Sequence, residues 1–243
     1  MTAPHPGLQL QSASVTLSGK TILHDVTLSL TEPRIGIVGR NGSGKTTLLR
    51  LMAGLIAPAG GTVRLGSLDP ARDRRAMLAA VGILFQNPDH QILFPTVEEE
   101  LAFGLIQTGQ SRAQAAQAVA GLLAAEGRSH WSGAPVSTLS HGQKHYLCLL
   151  AVLAMQPATL LLDEPFAGLD LPTQIRLARK LSALPQQVVT ITHDPQAVAQ
   201  SDRVIWLEAG RVVADGTPGP VLAAFSAAMA DRGASDADTD LAG

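Results

Sequence analysis

The chain has very little cysteine, since Cys148 is the only one among 243 residues. A single cysteine cannot form an intrachain disulfide, so the sequence excludes a disulfide framework and favours a reducing compartment. Because Cys148 lies in an apolar stretch, we interpret it as a small buried side chain, with a reactive thiol as the alternative.

Long apolar segments and an excess of basic charge are also missing. The longest nearly uninterrupted apolar run, residues 146–155, is about half of the ~20 residues that a bilayer-spanning helix needs. Residues 1–7 have neither basic residues nor an apolar core, which argues against a signal peptide. The formal net charge of −2 argues against a general nucleic-acid or anionic-lipid surface. We therefore expect a protein that is soluble or that contacts a membrane only through a partner.

A glycine-rich loop at residues 39–46 fits the pattern GxxxxGK followed by Ser or Thr. Residues 35–38 predict a buried strand before the loop, and residues 47–52 predict a helix after it. Glycines let backbone N–H groups surround phosphates, and the helix N-terminus adds a positive dipole end. We expect Lys45 to reach the β- and γ-phosphates and Thr46 to bind Mg²⁺, whereas an empty glycine-rich turn is the alternative. The predicted nucleotide-binding residues of this segment are Gly39, Arg40, Asn41, Gly42, Ser43, Gly44, Lys45, Thr46 and Thr47.

Four polar side chains end or follow predicted strands. Asp163 and Glu164 follow one apolar run, Gln86 ends another and His193 follows a third. The carboxyl ends of parallel strands are where ligand-binding groups gather. Asp163 suits Mg²⁺, and Glu164 suits a base that deprotonates an attacking water. His193 is expected to bond the γ-phosphate or hold the water, and Gln86 to contact Mg²⁺ or water; an acidic turn and uninvolved polar side chains are the alternatives.

A second anion site is predicted at residues 139–143, where Ser140 opens an apolar helix. A serine hydroxyl and the free N–H groups of a helix start can bind an anion together. An ordinary serine N-cap is the alternative.

Strand and helix patterns alternate along the chain. They predict an α/β fold with a mainly parallel sheet and an antiparallel β subdomain. Together with the phosphate-loop motif at 39–46, this predicts a P-loop NTPase core. Residues 96–157 are predicted to form a helical subdomain, with capping boxes at Thr96 and Ser111 and a solvated acidic turn at 98–100. Residues 1–226 are predicted to form one domain and residues 227–243 a disordered tail. Predicted strands cover residues 8–17, 21–30, 35–38, 62–65, 81–86, 159–162, 188–192, 203–207 and 211–214.

The ordered set of motifs resembles the ATP-binding-cassette ATPases over about residues 8–216. The resemblance implies ATP hydrolysis with ATP and Mg²⁺ in a head-to-tail dimer that closes on ATP binding and opens on hydrolysis. Residues Ser140, His141, Gly142 and Gln143 of one copy would complete the ATP site built on Lys45 of the other. The segments that carry the resemblance are 39–46, Gln86, 139–143, 160–164, 167–170 and His193.

Residues 85–91 and 96–104 are similar to those of energy-coupling-factor importers. That likeness implies a membrane T-component, a separate substrate-binding S-component, and a homodimer or a heterodimer with a related ATPase. It also implies a peripheral place on the cytoplasmic face of the cell membrane and no nucleic-acid partner. Residues 32–36 and the histidine-containing 139–143 segment look most like biotin-transport members. Cobalt or nickel ions as cargo, a soluble non-transport ATPase and a weakly hydrolysing switch are the alternatives.

The sequence departs from the family pattern at residues 144–146, where Lys-His-Tyr replaces a more basic continuation, and at two predicted site positions. His141 replaces the first glycine of the usual LSGGQ, and we expect it to point away from the γ-phosphate, with a pH-sensitive contact as the alternative. Leu17 stands where the family stacks an aromatic ring on adenine. We therefore expect Leu17 to hold the base by apolar contact, which leaves the preference for ATP over GTP open.

Overall fold

The computed structural model describes residues 7–234. The strands are β1 Leu8–Leu17, β2 Lys20–Leu30, β3 Arg34–Val38, β4 Gly60–Leu65, β5 Val81–Leu84, β6 Thr159–Asp163, β7 Gln187–Thr192, β8 Arg203–Glu208 and β9 Arg211–Gly216. The α-helices are α1 Lys45–Met52, α2 Arg74–Ala80, α3 Val97–Gln107, α4 Arg112–Ala125, α5 His141–Ala154, α6 Leu171–Ala183 and α7 Pro218–Ala234.

A six-stranded sheet in the order β5-β6-β7-β3-β8-β9 forms the centre of the molecule. Its strands pair in parallel except for the antiparallel β8–β9 hairpin. β6 and β7 are buried at every position, which explains their continuous apolar character, because inner parallel strands are covered on both faces. The predicted mainly parallel core is confirmed.

A second sheet, in the order β2-β1-β4, is antiparallel. One cluster of buried residues joins this sheet to α1 and to the central sheet, with Leu10, Leu48 and Ile191 among its members. The predicted antiparallel β subdomain is therefore present, and it lies across α1 from the parallel core.

Strand order decides where the predicted site residues meet. β3 lies between β7 and β8, and β7 lies between β3 and β6. The last residues of these strands are in register, since Val38 pairs with Thr192 and Asp163 with Ile191. The loop after β3, the carboxylates at the end of β6 and the histidine after β7 consequently emerge side by side.

Helices α3, α4 and α5 lie within the segment that the sequence predicts to be helical, and they pack around a core of their own. The capping box at Ser111 is complete, and Ser140 forms one with Gln143. Thr96 forms half of its predicted box. Its hydroxyl accepts from Glu99 N at 3.4 Å, but the Glu99 carboxylate accepts from that hydroxyl at 2.6 Å and not from the Thr96 backbone N–H.

The expected solvated acidic turn is wrong for Glu100. Its side chain is buried, and one carboxylate oxygen accepts the backbone N–H groups of Leu93 at 2.8 Å and Phe94 at 2.9 Å. A buried carboxylate is tolerated there because it satisfies two donors of the preceding loop. The strand predicted at residues 81–86 is too long, because β5 ends at Leu84 and Gln86 lies in the following loop.

The expected disorder from residue 227 is wrong as far as Ala234, where α7 ends. The helix is held by Val221 and Phe225, which pack with Val38 and Trp206 of the central sheet. The rest of the predicted tail lies outside the described residues. Within residues 7–234, no helix has both the length and the apolar character needed to cross a bilayer.

Candidate nucleotide-binding and hydrolysis site

The loop between β3 and α1 is tightly packed at its start. A Cβ added to Gly39 would lie 2.2 Å from the Leu207 carbonyl oxygen and 2.6 Å from Ser43 Oγ, so only glycine fits. Gly44 has φ 100° and serves as the N-cap of α1 without a side-chain cap. The loop therefore leaves the first N–H groups of α1 without a capping side chain, which suits an anion.

Lys45 lies within this loop and is 7% exposed. Its Nζ donates to the carbonyl oxygens of Gly39 and Arg40, each at 2.7 Å. Burial lowers the pKa of Lys45, and the nearby carboxylates of Glu164 and Asp163 oppose that shift. Because the two acceptors are neutral carbonyls, the Lys45 ammonium group can exchange them for phosphate oxygens without breaking an ion pair.

Ser43 provides an independent sign that the loop fits a ligand. Its Oγ is buried and has no hydrogen-bond partner in the described part of the chain. Its carbonyl oxygen accepts from Gly210 N at 2.9 Å, which ties the loop to the β8–β9 turn. Since buried hydroxyls are normally bonded, the unpartnered Ser43 hydroxyl inside a phosphate-loop motif suits an oxygen-rich ligand.

Thr46 and Asp163 are joined directly, because the Thr46 hydroxyl donates to an Asp163 carboxylate oxygen at 3.0 Å. Burial raises the pKa of Asp163, and the bond from Thr46 opposes the shift. Gln86 is exposed and lines the same cleft as these two residues. The structure thus brings together all three predicted Mg²⁺ ligands.

The donor set fits Mg²⁺ held partly by a nucleotide. Hydroxyl, carboxylate and amide oxygens are the hard donors that this ion prefers, and it usually keeps water or phosphate oxygens as well. Within residues 7–234 there is no cluster of three or more His, Cys, Asp or Glu side chains that could hold a metal.

Glu164 is held in place by two neighbouring residues. One carboxylate oxygen accepts from the Thr192 hydroxyl at 2.8 Å, and the other accepts from the backbone N–H of His193 at 2.9 Å. The second oxygen also lies 2.7 Å from His193 Nδ1. A carboxylate oxygen only accepts, so Nδ1 is the donor in this contact. Sequence reasoning named Glu164 and His193 separately and missed Thr192, which carries no motif signal beyond ending the strand.

Ser140 opens α5 in a separate cleft. Its hydroxyl accepts from Gln143 N at 3.3 Å, and the Gln143 side chain accepts from Ser140 N at 2.8 Å. The cleft is shared with His141, Gly142 and the loop at 168–170. The His141 ring lies against this loop, because a Cβ on Gly168 would be 3.0 Å from His141 Cδ2.

The remaining predicted contacts lie on the surface. Leu17 is 40% exposed at the end of β1 and pairs with Lys20. Arg40 and Asn41 are exposed, and Thr47 is half-buried. These positions are accessible to a nucleotide, and their roles stay predictions.

A phosphate loop ahead of a helix, with Asp163 and Glu164 at the end of β6, which is separated from the loop's strand β3 by β7, defines a P-loop nucleoside triphosphatase. The family description "ABC transporter" matches residues 23–167. The biotin transport ATP-binding protein BioM of Rhodobacter capsulatus is 51% identical over 87% of this chain and 90% of its own length. The chain therefore belongs to the ABC transporter family and is an ATPase of that family, which confirms the resemblance seen in the motifs.

Two further relatives are close over most of their lengths. The BioM protein of Rhizobium etli is 38% identical over 86% of this chain and 92% of its own. The solved structure of CbiO1 from Clostridium perfringens, described as part of the ABC transporter complex CbiONQ, has a TM-score of 0.77 at 28% identity. It covers 91% of this chain and 92% of its own.

Proposed function

We propose that this chain is the ATP-hydrolysing subunit of an energy-coupling-factor importer for biotin. The observation that carries the proposal is the 51% identity with BioM of Rhodobacter capsulatus across 87% of the chain. The likeness to CbiO1 supports the importer class. The register of the central strands supports the chemistry, because Val38 pairs with Thr192 and Asp163 pairs with Ile191, so the segments that carry Lys45, Glu164 and His193 begin side by side.

In the proposed reaction, Lys45 exchanges its two loop carbonyls for the β- and γ-phosphate oxygens of ATP. Thr46, Asp163 and Gln86 would hold Mg²⁺, which would neutralise charge on the phosphates. Glu164 accepts a proton from water as the water oxygen bonds to the γ-phosphorus and the bond to ADP breaks. His193 and Thr192 keep the Glu164 carboxylate in place during this step.

A second copy is part of the proposal because the two predicted anion sites of one chain lie in different clefts. Ser140 and Gly142 of one chain would complete the ATP site built on Lys45 of the other. The dimer is a homodimer, or a heterodimer with a related ATPase.

An exposed apolar surface suits the membrane T-component. Phe94 and Phe103 pack with ring centroids 5.1 Å apart, and Leu93, Phe103 and Ile106 are exposed. The buried Glu100 carboxylate fixes the backbone of Leu93 and Phe94. We place the T-component on this surface, with the S-component binding the substrate in the membrane and the ATPase peripheral on the cytoplasmic face.

The test is biotin uptake by proteoliposomes that contain this chain with its T- and S-components. ATP inside the vesicles is expected to drive accumulation of labelled biotin, and the Glu164→Gln variant is expected to stop it. Accumulation of cobalt or nickel ions, with no accumulation of biotin, would refute the proposal that biotin is the cargo. Failure to co-purify with any integral membrane protein, together with bound nucleic acid, would favour the soluble alternative.

A further inference from the structure

His145 is a buried polar residue that the proposed reaction does not use. It lies on α5 with 0% exposure, and its Nε2 is 2.9 Å from the carbonyl oxygen of Pro165. A carbonyl only accepts, so Nε2 carries the proton and donates it. The other ring nitrogen, Nδ1, has no hydrogen-bond partner in the described part of the chain. The ring is therefore neutral, with one bond that fixes its orientation.

The partner of that bond lies next to Glu164 in the chain. Glu164 has φ 51°, a left-handed conformation that is uncommon for a residue with a side chain. Such a conformation persists only when the surrounding contacts hold it. Before it, Glu164 N donates to the Ile191 carbonyl at 2.8 Å. After it, the Pro165 carbonyl is held by His145. Since proline has no N–H, the carbonyl is the one backbone hydrogen-bonding group that Pro165 offers.

The same end of α5 contacts the following loop at two more points. A Cβ on Gly142 would lie 3.2 Å from Leu169 Cδ2, and a Cβ on Gly168 would lie 3.0 Å from His141 Cδ2. His145 supplies the hydrogen bond in this set, whereas the other two are packing contacts. The helix that starts at Ser140 is thus attached to the segment that starts at Glu164.

We infer that His145 is a positioning residue for Glu164, acting through the Pro165 carbonyl. The inference rests on the proposed function, in which Glu164 is the base. The inference also implies a link between two nucleotide sites. His145 connects α5, whose Ser140 end faces the partner's nucleotide, to Glu164, which acts on this chain's own nucleotide. Loss of the bond would leave the Pro165 carbonyl buried and unpaired, and would remove one of the contacts that hold Glu164 in its strained conformation, while its backbone bonds with Ile191 and Ala167 remain.

The test compares variants of the full-length ATPase in complex with its membrane subunits. His145→Leu keeps the approximate size and removes the donor, whereas His145→Gln keeps an N–H donor of similar reach. Val152→Ala is the matched control, because Val152 is buried on the same helix and lies against Gly82, away from Pro165. The measurements are kcat and KM for ATP, with the thermal unfolding midpoint of each variant.

We expect His145→Leu to lower kcat by about 10-fold, the size of one lost positioning bond, with KM for ATP within about 2-fold. His145→Gln is expected to restore most of kcat, and Val152→Ala to keep kcat while lowering the midpoint. Equal kcat in His145→Leu and the wild type would overturn the inference. Equal losses of kcat in His145→Leu and Val152→Ala, or an effect on KM alone, would do so as well.

The proposed function can fail separately. If the wild-type complex hydrolyses ATP, Glu164→Gln does not, and His145→Leu is normal, only the role of His145 is wrong. If Glu164→Gln hydrolyses ATP at the wild-type rate, the assigned base is wrong as well.

Discussion

Glu164 and His193 form a direct contact, with His193 Nδ1 2.7 Å from a Glu164 carboxylate oxygen that also accepts the His193 backbone N–H at 2.9 Å. Glu164 is buried, whereas the His193 side chain is 58% exposed. The pair therefore connects a fixed carboxylate to a ring that faces the solvent side of the site. This arrangement suits a catalytic base whose carboxylate is fixed by hydrogen bonds within the protein while the exposed His193 ring contacts the substrate.

Glu164→Gln is expected to lower kcat by at least about 100-fold, because an amide cannot take the proton of the attacking water. ATP affinity should change little, since the substitution keeps the side-chain shape. Asp231→Asn, an exposed change on α7, is the control. The rate of phosphate release is measured for the purified wild type and for both variants. Equal rates for Glu164→Gln and the wild type would show that Glu164 is not the base.

Thr192→Val is expected to lower kcat by about 10-fold while ATP still binds. The substitution removes the hydroxyl that donates to Glu164 at 2.8 Å, and bonds to charged groups contribute roughly 1.5–3 kcal/mol. Thr190→Val, on the same strand, is the matched control. Steady-state kinetics separates the two variants, and matching losses would mean that strand packing, not the bond to Glu164, causes the effect.

Lys45→Met is expected to weaken ATP binding by about 100-fold or more, because charge-assisted bonds to phosphate are lost. The readout is the rise in thermal midpoint when ATP and Mg²⁺ are added, since a ligand of the native state stabilises it by mass action. Lys20→Met, at an exposed lysine, is the control. A midpoint that still rises with ATP as in the wild type would contradict the role of Lys45.

His145 gives stability a defined pH dependence. Burial lowers its pKa from the ordinary value of 6.5, so the unfolded chain takes up a proton at a pH where the folded chain does not. The contribution of His145 is therefore complete above pH 6.5 and is lost as the pH falls towards the folded pKa. The slope can reach about 1.4 kcal/mol per pH unit for one proton. Asp163, whose pKa is raised, acts in the opposite direction.

The comparison that isolates this effect is urea unfolding of the wild type and His145→Gln between about pH 7.5 and 5.5, where a histidine changes charge. The wild type should lose more free energy of unfolding on acidification than the variant. Identical pH profiles would show that His145 does not titrate differently in the folded and unfolded states.

The motifs predicted the local parts of this site because each is encoded by a short segment. The Lys45 loop requires only a strand, glycines and a helix start, and the Ser140–Gln143 cap is written within four residues. The alternation of strand and helix patterns likewise predicted a mainly parallel sheet.

Contacts between segments that are far apart in the chain could not be predicted from the sequence. Thr192 reaches Glu164 only because β6 and β7 are neighbours, a pairing that no local pattern specifies. Glu100 looked like a solvated acidic residue because its two backbone partners lie in an earlier loop. The α7 helix was missed because its alanine-rich sequence shows no clear periodicity. Its packing against Trp206 of the central sheet holds it in place.

The most direct measurement of the central claim is the mass of the Glu164→Gln variant with saturating ATP and Mg²⁺, alone and with its membrane subunits. One chain has a mass of 25.3 kDa. We expect ATP to convert the variant to a species of twice that mass, and Ser140→Arg in the same background to prevent it by filling the partner's anion site. A variant that stays monomeric with bound ATP under both conditions would contradict the account.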